Sequence, residues 1–241
     1  MATQQEHYEQ LLADIYCWMM GGFASGLAKN VHFFEQHAIT PGGSGLAINL
    51  GAGCGFQSIP LARLGFCVTA IDTSEDLLRE LQNNAAGLDI QTVRDDLINF
   101  DHYTTGRVEL ITCMTDTLLH LESKDKVRRL FEKVATSLET AGKCILTFRD
   151  LSAEVFGTDR FIPVQSDDSR IFTCFLEFEP ETVKINDIVY RKEEGKWLLS
   201  KSDYRKLRLS REWVEHQLVE AGLSNVETKV DGGLVTIIAT K

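Results

Sequence analysis

The sequence predicts an α/β fold built around a parallel sheet, and residues 46–72 carry the observations that predict it. Residues 46–50 form a short apolar run, as expected for a strand that is buried on both faces of such a sheet. Three glycines follow this run at alternate positions, namely Gly51, Gly53 and Gly55. An amphipathic stretch then covers 56–64, a second apolar strand covers 67–71, and Asp72 falls at its end. The pattern predicts a β-loop-α-β unit whose glycine turn lets the backbone approach a ligand closely.

Length and composition favour a single α/β domain that spans residues 1–241. The formal net charge is −10, which argues against strong attraction to nucleic acid phosphates or anionic membranes. The six cysteines are scattered without a C-x-x-C pair, so buried thiols in a reducing cytoplasm explain them better than disulfides or zinc. We therefore expect a cytoplasmic protein without nucleic acid or membrane partners, and the sequence leaves the oligomeric state open.

The segment before the glycine turn is expected to be helical. Apolar residues recur at helical spacing between Tyr8 and Met19, and Gly21-Gly22 then interrupts the pattern. A second helix is predicted over 23–37, and the glycine-rich stretch 41–45 links it to the first strand. Residues 1–40 therefore form an N-terminal helical segment ahead of the sheet.

Helices and strands alternate after Asp72, until the pattern changes near residue 155. Ser74 can cap the helix that follows Asp72. The predicted elements in this part are a helix over 75–84, strands over 90–94 and 108–114, a helix over 124–138 and a strand over 144–148. Several antiparallel strands with little helix then predict a β-insertion over 155–209. A helix over 211–221 and a hairpin over 226–240 follow.

The glycine spacing resembles motif I of the class I S-adenosylmethionine (SAM) methyltransferases. A dinucleotide-binding fingerprint, G-x-G-x-x-G, needs a third glycine at the position of Phe56, whereas this chain has G-x-G-x-G. Asp72 is placed to accept hydrogen bonds from a ribose diol. The family usually has an acid two residues before the first glycine. This chain has Asn49 there, which can still accept a hydrogen bond from the ammonium group of the cofactor.

The resemblance implies a Rossmann-like seven-stranded sheet in the order 3-2-1-4-5-7-6, with helices on both faces and the last strand antiparallel. It implies SAM as the cofactor, a small-molecule substrate, and a lid formed by residues 1–40, with the β-insertion as a cap. The cofactor-binding residues that it implies are Asn49, Gly51, Ala52, Gly53, Gly55, Asp72, Thr73, Asp95, Asp96, Leu97, Met114 and Thr115. Of the two acids after the third strand, Asp96 aligns better with the residue that binds the adenine amino group.

Three residues are candidates for acting on the substrate: Tyr16, His120 and Arg149. Residues 114–117 loosely resemble the segment that lines the methyl-transfer chamber of glycine/sarcosine-type N-methyltransferases, with Thr-Asp in place of the usual Gly-Asn. In those enzymes an arginine just after the fifth strand holds the substrate carboxylate, and Arg149 occupies that place; an ion pair is the alternative. His120 either takes a proton from an amine or hydroxyl or is a partly buried histidine at a helix start. Tyr16 either touches the ligands or packs on the core.

The expected function is transfer of a methyl group from SAM to a nitrogen or oxygen atom of a small, possibly anionic, metabolite. The six histidines show no H-x-x-x-H or H-E-x-x-H spacing, so no metal centre is expected. Two alternatives stay open. A SAM-binding sensor or partner protein without catalytic activity is compatible with Asn49 and the altered fourth-strand loop. A nicotinamide-dependent oxidoreductase is the other alternative, and Phe56 and the terminal hairpin argue against it.

Overall fold

A seven-stranded mixed sheet forms the centre of the protein, whose computed structural model describes residues 4–241; Met1 to Thr3 of the predicted lid lie outside the described residues. The strands of the described part are β1 (Leu46–Leu50), β2 (Cys67–Asp72), β3 (Ile90–Arg94), β4 (Val108–Cys113), β5 (Leu138–Arg149), β6 (Phe161–Ser166), β7 (Arg170–Phe178), β8 (Thr182–Glu193), β9 (Lys196–Leu207), β10 (Ser224–Asp231) and β11 (Leu234–Thr240). The central sheet has the order β10-β11-β5-β4-β1-β2-β3. This order confirms the predicted one.

Strand direction in the central sheet also follows the prediction. The strands β1 to β5 pair in parallel, and β11 runs antiparallel to both β5 and β10. The α-helices are α1 (Gln4–His7), α2 (Tyr16–Met19), α3 (Phe23–Gln36), α4 (Ser58–Arg63), α5 (Glu75–Asn84), α6 (Lys124–Ser137) and α7 (Arg211–Glu220). The carboxyl ends of parallel strands share one edge of a sheet, so this topology places the ends of β1, β2 and β4 side by side.

Apolar side chains of adjacent residues in β1 point to opposite faces of the sheet and bury a core on each. Ala47 packs in a cluster with Phe34 of α3 and Leu61 of α4, whereas Ile48 packs in a cluster with residues of α6 and α7. A strand that is buried on both sides reads as a continuous apolar run, which is why the first strand could be located from the sequence.

The β-insertion forms a second sheet that contacts the N-terminal helices. The antiparallel strands that the sequence predicts are present, and they have the order β6-β7-β8-β9. Leu11, Leu12 and Ile15 of the N-terminal segment pack against buried residues of β7 and β8. His7 lies 2.9 Å from Asp187 of β8, measured between Nε2 and Oδ2, and both side chains are buried. The N-terminal segment is therefore held against the insertion by apolar contacts and a buried polar pair.

The N-terminal segment is helical but irregular. A π-helical turn (Tyr8–Leu12) and a 3₁₀ turn (Ala13–Ile15) separate α1 from α2, and the chain breaks at Gly21 and Gly22 as predicted. These turns allow one short segment to face two surfaces, because Leu11 and Leu12 contact the second sheet while Tyr8 and Tyr16 contact the glycine turn. Among residues 4–241 no single helix is long and apolar enough to cross a membrane, although Tyr8–Met19 and Phe23–Gln36, bent by 67°, together have the length and composition.

Candidate active site

The glycine turn after β1 is held tightly against the end of β2. The backbone N–H groups of Gly51 and Ala52 both donate to the carbonyl oxygen of Ile71, at 2.9 Å. Gly51 has φ +69°, and a Cβ atom built there would lie 2.4 Å from Cγ2 of Thr117. A side chain at this position would therefore be both strained and blocked, which explains why the turn requires glycine.

A cavity of about 430 Å³ lies at the carboxyl edge of the sheet, beside this turn. Ten of the residues predicted to be functional line it: Tyr16, Gly51, Gly53, Asp72, Thr73, Asp95, Asp96, Leu97, Thr115 and His120. Five others, all in the described part of the chain, are not part of its lining: Asn49, Ala52, Gly55, Met114 and Arg149. Residues from the ends of four parallel strands and from the N-terminal segment thus meet around one space.

Asp72 is positioned by the glycine turn and by the start of the next helix. Its Oδ2 accepts a hydrogen bond from the N–H of Gly53 at 2.7 Å, and its Oδ1 accepts one from the N–H of Ser74 at 2.8 Å. Burial raises the pKa of the Asp72 carboxyl, while these N–H groups act in the opposite direction. A carboxylate offers about four acceptor positions, so two remain that can bind a pair of hydroxyl groups.

The two acids after β3 have different surroundings. Asp95 already accepts hydrogen bonds from the N–H of Asp96 at 2.7 Å, from Asn99 at 3.0 Å and from the hydroxyl of Tyr103 at 2.7 Å. Asp96 caps the following 3₁₀ helix through the N–H of Ile98, and its other oxygen lies 3.6 Å from Nζ of Lys126. Asp96 therefore has more capacity left to bind a ligand than Asp95 has.

Asn49 is committed to hydrogen bonds inside the protein. Its amide nitrogen donates to the hydroxyl of Ser58 at 2.8 Å, and its oxygen accepts from the hydroxyl of Thr112 at 3.0 Å. The side chain is buried and joins β1 to α4 and to β4. Its predicted contact with the cofactor stays a prediction, and the structure adds a role in joining these elements.

The loop after β4 has an unusual backbone. Thr115 and Asp116 adopt φ values of +59° and +64°, in the left-handed region that glycine and asparagine occupy most easily. Thr147 of β5 holds this conformation, because its hydroxyl accepts from the N–H of Thr115 at 2.7 Å and its carbonyl accepts from the N–H of Asp116 at 3.1 Å. Glycine and asparagine would adopt this backbone more easily than the Thr-Asp of this chain does.

The carboxylate of Asp116 forms ion pairs with two basic side chains, Arg149 and Lys206. Its Oδ2 lies 2.6 Å from a terminal nitrogen of Arg149 and 2.8 Å from Nζ of Lys206, and its Oδ1 accepts from the N–H of Arg149 at 2.7 Å. Burial by itself disfavours the charged carboxylate, but Lys206 and Arg149 hold the pKa of Asp116 well below its usual range. Arg149 is thus engaged in an ion pair, with its side chain still 64% exposed.

His120 belongs to a group of aromatic rings above this ion cluster. It stacks on Tyr204 with ring centroids 5.4 Å apart and meets Tyr8 edge to face at 5.9 Å. Burial and the ammonium group of Lys206 lower the pKa of His120 to about 3, so the imidazole is neutral near pH 7. Its Nδ1 is buried without a hydrogen-bond partner in the described part of the chain. A neutral imidazole that lines a cavity can accept a hydrogen bond from a ligand.

The neutral state of His120 makes the stability of the protein depend on pH. Between pH 6.5 and pH 3 the unfolded chain binds a proton at this residue and the folded chain does not, so acidification favours unfolding by up to about 1.4 kcal/mol per pH unit. We expect His120→Gln to reduce this acid sensitivity, as measured by urea unfolding at pH 7.0, 5.5 and 4.5. His32→Gln, at an exposed position, should keep the wild-type dependence. An unchanged pH dependence of stability in His120→Gln would contradict the lowered pKa of His120 in the folded protein.

Sequence reasoning missed several residues at this site. Tyr8 lines the cavity, and Tyr204 and Lys206 of β9 contact His120 and Asp116. In the sequence, residues 204–211 form the densest cationic stretch, but nothing there indicates which strand face carries these side chains. Alternation along β9 puts Tyr204 and Lys206 on one face, and the register to Ile185 and Val183 of β8 sets their position. The positions of these two side chains therefore follow from the folded structure and could not be predicted from the sequence.

Comparison with known proteins places this geometry among methyltransferases. Residues 47–142 match the family described as "Methyltransferase domain". A protein of Geobacillus sp. (strain WCH70) that is named as a candidate methyltransferase is 22% identical over 190 residues, which are 76% of each chain. The glycine/sarcosine N-methyltransferase of Aphanothece halophytica is 27% identical over 110 residues, 45% of this chain and 42% of that one.

Solved structures share the fold. The SAM-bound structure of CalS10, an amino pentose methyltransferase from Micromonospora echinaspora, superposes with a TM-score of 0.70 at 13% identity, over 96% of each chain. At this identity the similarity concerns the fold alone.

Proposed function

We propose that the chain is a class I SAM-dependent methyltransferase that transfers a methyl group from SAM to a nitrogen or oxygen atom of a small metabolite. The observation that carries the proposal is the cavity at the carboxyl edge of the sheet, where the glycine turn, Asp72 and Asp96 meet the aromatic side chains of Tyr8, Tyr16 and His120. At one end of the cavity the glycine turn, Asp72 and Asp96 suit a nucleoside, and at the other end the aromatic side chains surround a space for the methyl acceptor.

The residues present fit the nucleoside part of SAM. The free acceptor positions of Asp72 suit the two ribose hydroxyls, and charge-assisted hydrogen bonds of this kind are among the strong ones. Gly51 and Gly53 line the cavity without side chains, so a ligand can approach the backbone. Asp96 and Leu97 line it beyond β3, where Asp96 would accept from the adenine amino group.

Bound SAM supplies a sulfonium methyl group that is already reactive, so the protein has to orient the acceptor and exclude water. Tyr8 and Tyr16 line the cavity from the N-terminal segment, and Tyr16 lies over the glycine turn, where a Cβ on Gly53 would be 3.6 Å from its Cε1. Burial raises the pKa of both tyrosines, so their hydroxyls stay protonated. We propose that this N-terminal segment is the lid of the active site.

Neutral His120 is the group best placed to orient the acceptor. An imidazole whose pKa lies near 3 is a weak base, so it accepts a hydrogen bond from the acceptor more readily than it removes a proton. Such a bond at an N–H or O–H group would direct the lone pair of the acceptor toward the methyl group. His120 is therefore proposed as a positioning group within the chamber.

The charges around the cavity disfavour an anionic acceptor and favour a small amine, which reacts in its unprotonated form because a protonated nitrogen has no lone pair for the methyl group. The described residues that line the cavity include four carboxylates and one ammonium group, that of Lys126. The four carboxylates are those of Asp72, Asp95, Asp96 and Glu122. Lys126 is itself paired with Glu122 at 3.0 Å. This negative field attracts cations and repels carboxylates and phosphates, and aromatic faces also attract cations.

The proposal is tested by measuring S-adenosylhomocysteine released from SAM with two matched acceptor panels, small primary amines and small hydroxy acids. We expect turnover with members of the amine panel and none without an acceptor. His120→Gln should lower kcat/KM for the same amine while SAM affinity stays unchanged. Tight SAM binding without product from either panel would favour the alternative of a SAM-binding sensor or partner protein.

An anionic acceptor is the second candidate, and Arg149 is the observation that favours it. It is the last residue of β5, at the carboxyl edge of the sheet, and binds Asp116 through one terminal nitrogen, with most of its side chain exposed. The guanidinium group could bind a carboxylate or phosphate with two parallel hydrogen bonds.

Arg149→Leu distinguishes the two candidates. For an amine acceptor we expect KM to stay within about threefold of the wild type, because Arg149 does not line the cavity. For an anionic acceptor KM should rise about tenfold or more with SAM affinity unchanged, since a charged hydrogen bond is lost. Arg149→Lys is the control and should rescue such an effect in part, because an ammonium group keeps the charge and loses the bidentate geometry.

A further inference from the structure

Three potential metal ligands from different parts of the chain meet beside the glycine turn. Cys17 lies in α2, Cys54 lies between Gly53 and Gly55 in the turn, and Glu80 lies in α5. Sγ of Cys17 is 3.3 Å from Sγ of Cys54 and 3.0 Å from Oε1 of Glu80. The three ligand atoms all lie within 4.8 Å of one another. Neither the lining of the cavity nor the proposed methyl transfer uses these groups.

We propose that Cys17, Cys54 and Glu80 form a binding site for one thiophilic divalent cation, of the class of Zn²⁺ and Cd²⁺. Zinc binds cysteine sulfur at about 2.3 Å and carboxylate oxygen at about 2.1 Å, so tetrahedral ligands lie roughly 3.5–3.8 Å apart. The observed separations of 3.3 Å and 3.0 Å need a widening of about half an ångström, within the reach of side-chain rotation. Soft thiolate ligands select such ions over Mg²⁺ or Ca²⁺.

The chemistry of the cluster favours a cation. Two thiolates and a carboxylate at the observed separations would repel one another strongly, so the three groups cannot all be charged without a cation between them. A divalent cation removes this penalty, since metal binding displaces the thiol protons. Cys54 is buried, while Cys17 and Glu80 are half-buried, so the cluster is open on one side to entry of the ion and to a water molecule as fourth ligand.

A bound ion would join the N-terminal segment to the glycine turn. Cys17 follows Tyr16, whose ring lies over Gly53, and Cys54 directly follows Gly53. The ion would therefore fix α2 over the cavity without touching the ligands of the active site. The sequence gives no sign of the cluster, because Cys54 and Glu80 are 37 and 63 residues from Cys17 along the chain and the three residues lack any metal-binding spacing.

The test is a titration of the full-length reduced chain with Cd²⁺, in which the ultraviolet charge-transfer band of cadmium thiolate is recorded and Zn²⁺ is used as competitor. We expect one equivalent of Cd²⁺ per chain, displaced by Zn²⁺. Cys17→Ser should weaken binding by about 100-fold or more, because even outer partners of a metal site are worth 10–100-fold. Cys54→Ala should do the same, and Glu80→Gln should weaken binding while keeping the thiolate band.

Cys67→Ser is the matched control, since Cys67 is an exposed thiol outside the cluster. It should bind Cd²⁺ as the wild type does. The proposal would be overturned by the absence of a stoichiometric band in the wild type, or by a band of equal affinity in folded Cys17→Ser. Cys17 is half-buried and its replacement by serine changes a single atom, so this variant keeps the test decisive even if Cys54→Ala fails to fold.

Discussion

Asp116→Ala should lower the free energy of unfolding by about 3–5 kcal/mol, the usual cost of removing one partner from a buried ion pair. The substitution leaves the ammonium group of Lys206, 13% exposed, and the N–H of Arg149 without their acceptor. It also places alanine at φ +64°, where a residue with a Cβ atom is strained. Urea or thermal unfolding followed by circular dichroism measures the loss.

Two further variants serve as controls. One separates the contribution of the Asp116 charge from that of its backbone conformation, and the other measures the effect of removing an exposed carboxylate. Asp116→Asn tolerates the left-handed backbone and keeps an oxygen for the N–H of Arg149, so its loss should be smaller than that of alanine. Asp125→Ala removes an exposed carboxylate that is paired with Arg128, and should cost about 1 kcal/mol or less. If Asp116→Ala and Asp125→Ala had the same small effect, the ion cluster would not be important for stability.

Asp72→Ala should weaken SAM binding by about 3 kcal/mol, roughly 150-fold, because two charge-assisted hydrogen bonds to ribose are lost at about 1.5 kcal/mol each. The same carboxylate also orders the glycine turn through Gly53 and the start of α5 through Ser74, so the loss can exceed this value. Isothermal titration calorimetry of SAM and of S-adenosylhomocysteine measures it.

Asp76→Ala is the control for Asp72→Ala. Asp76 lies four residues further on, in the first turn of α5, where its exposed side chain pairs with Arg79 outside the cavity. It should bind SAM within about twofold of the wild type. Unchanged SAM affinity in a folded Asp72→Ala variant would show that Asp72 does not hold the ribose.

The sequence allowed the sheet to be predicted because its signals are local. These signals are the apolar run of β1, the glycines after it and the acid at the end of β2. Each can be recognised from a few neighbouring residues, and the parallel topology then follows from general rules. The insertion was also predictable, because strands of alternating polarity joined by short turns are a local pattern. The irregular turns between Tyr8 and Ile15 were not, since their form depends on two surfaces that they contact.

Residues of the candidate site could be predicted from the sequence where they lie at the end of a single strand. They could not be predicted where side chains from several elements contact one another. Gly51, Gly53 and Asp96 follow strand ends and Asp72 is the last residue of β2, and all four line the cavity. The pairing of Arg149 with Asp116 depends on the register of β5 against the loop after β4, and the contribution of Lys206 depends on the second sheet. Contacts of this kind join residues 33 and 90 positions apart, and no spacing rule indicates them.

The cofactor is the central claim, and calorimetric titration of the purified full-length chain with SAM and, separately, with NADH tests it most directly. The glycine turn without the third glycine of a dinucleotide fingerprint, together with the free acceptor positions of Asp72, predicts SAM binding with a dissociation constant in the micromolar range and no measurable heat with NADH. Tighter binding of NADH than of SAM would contradict the account.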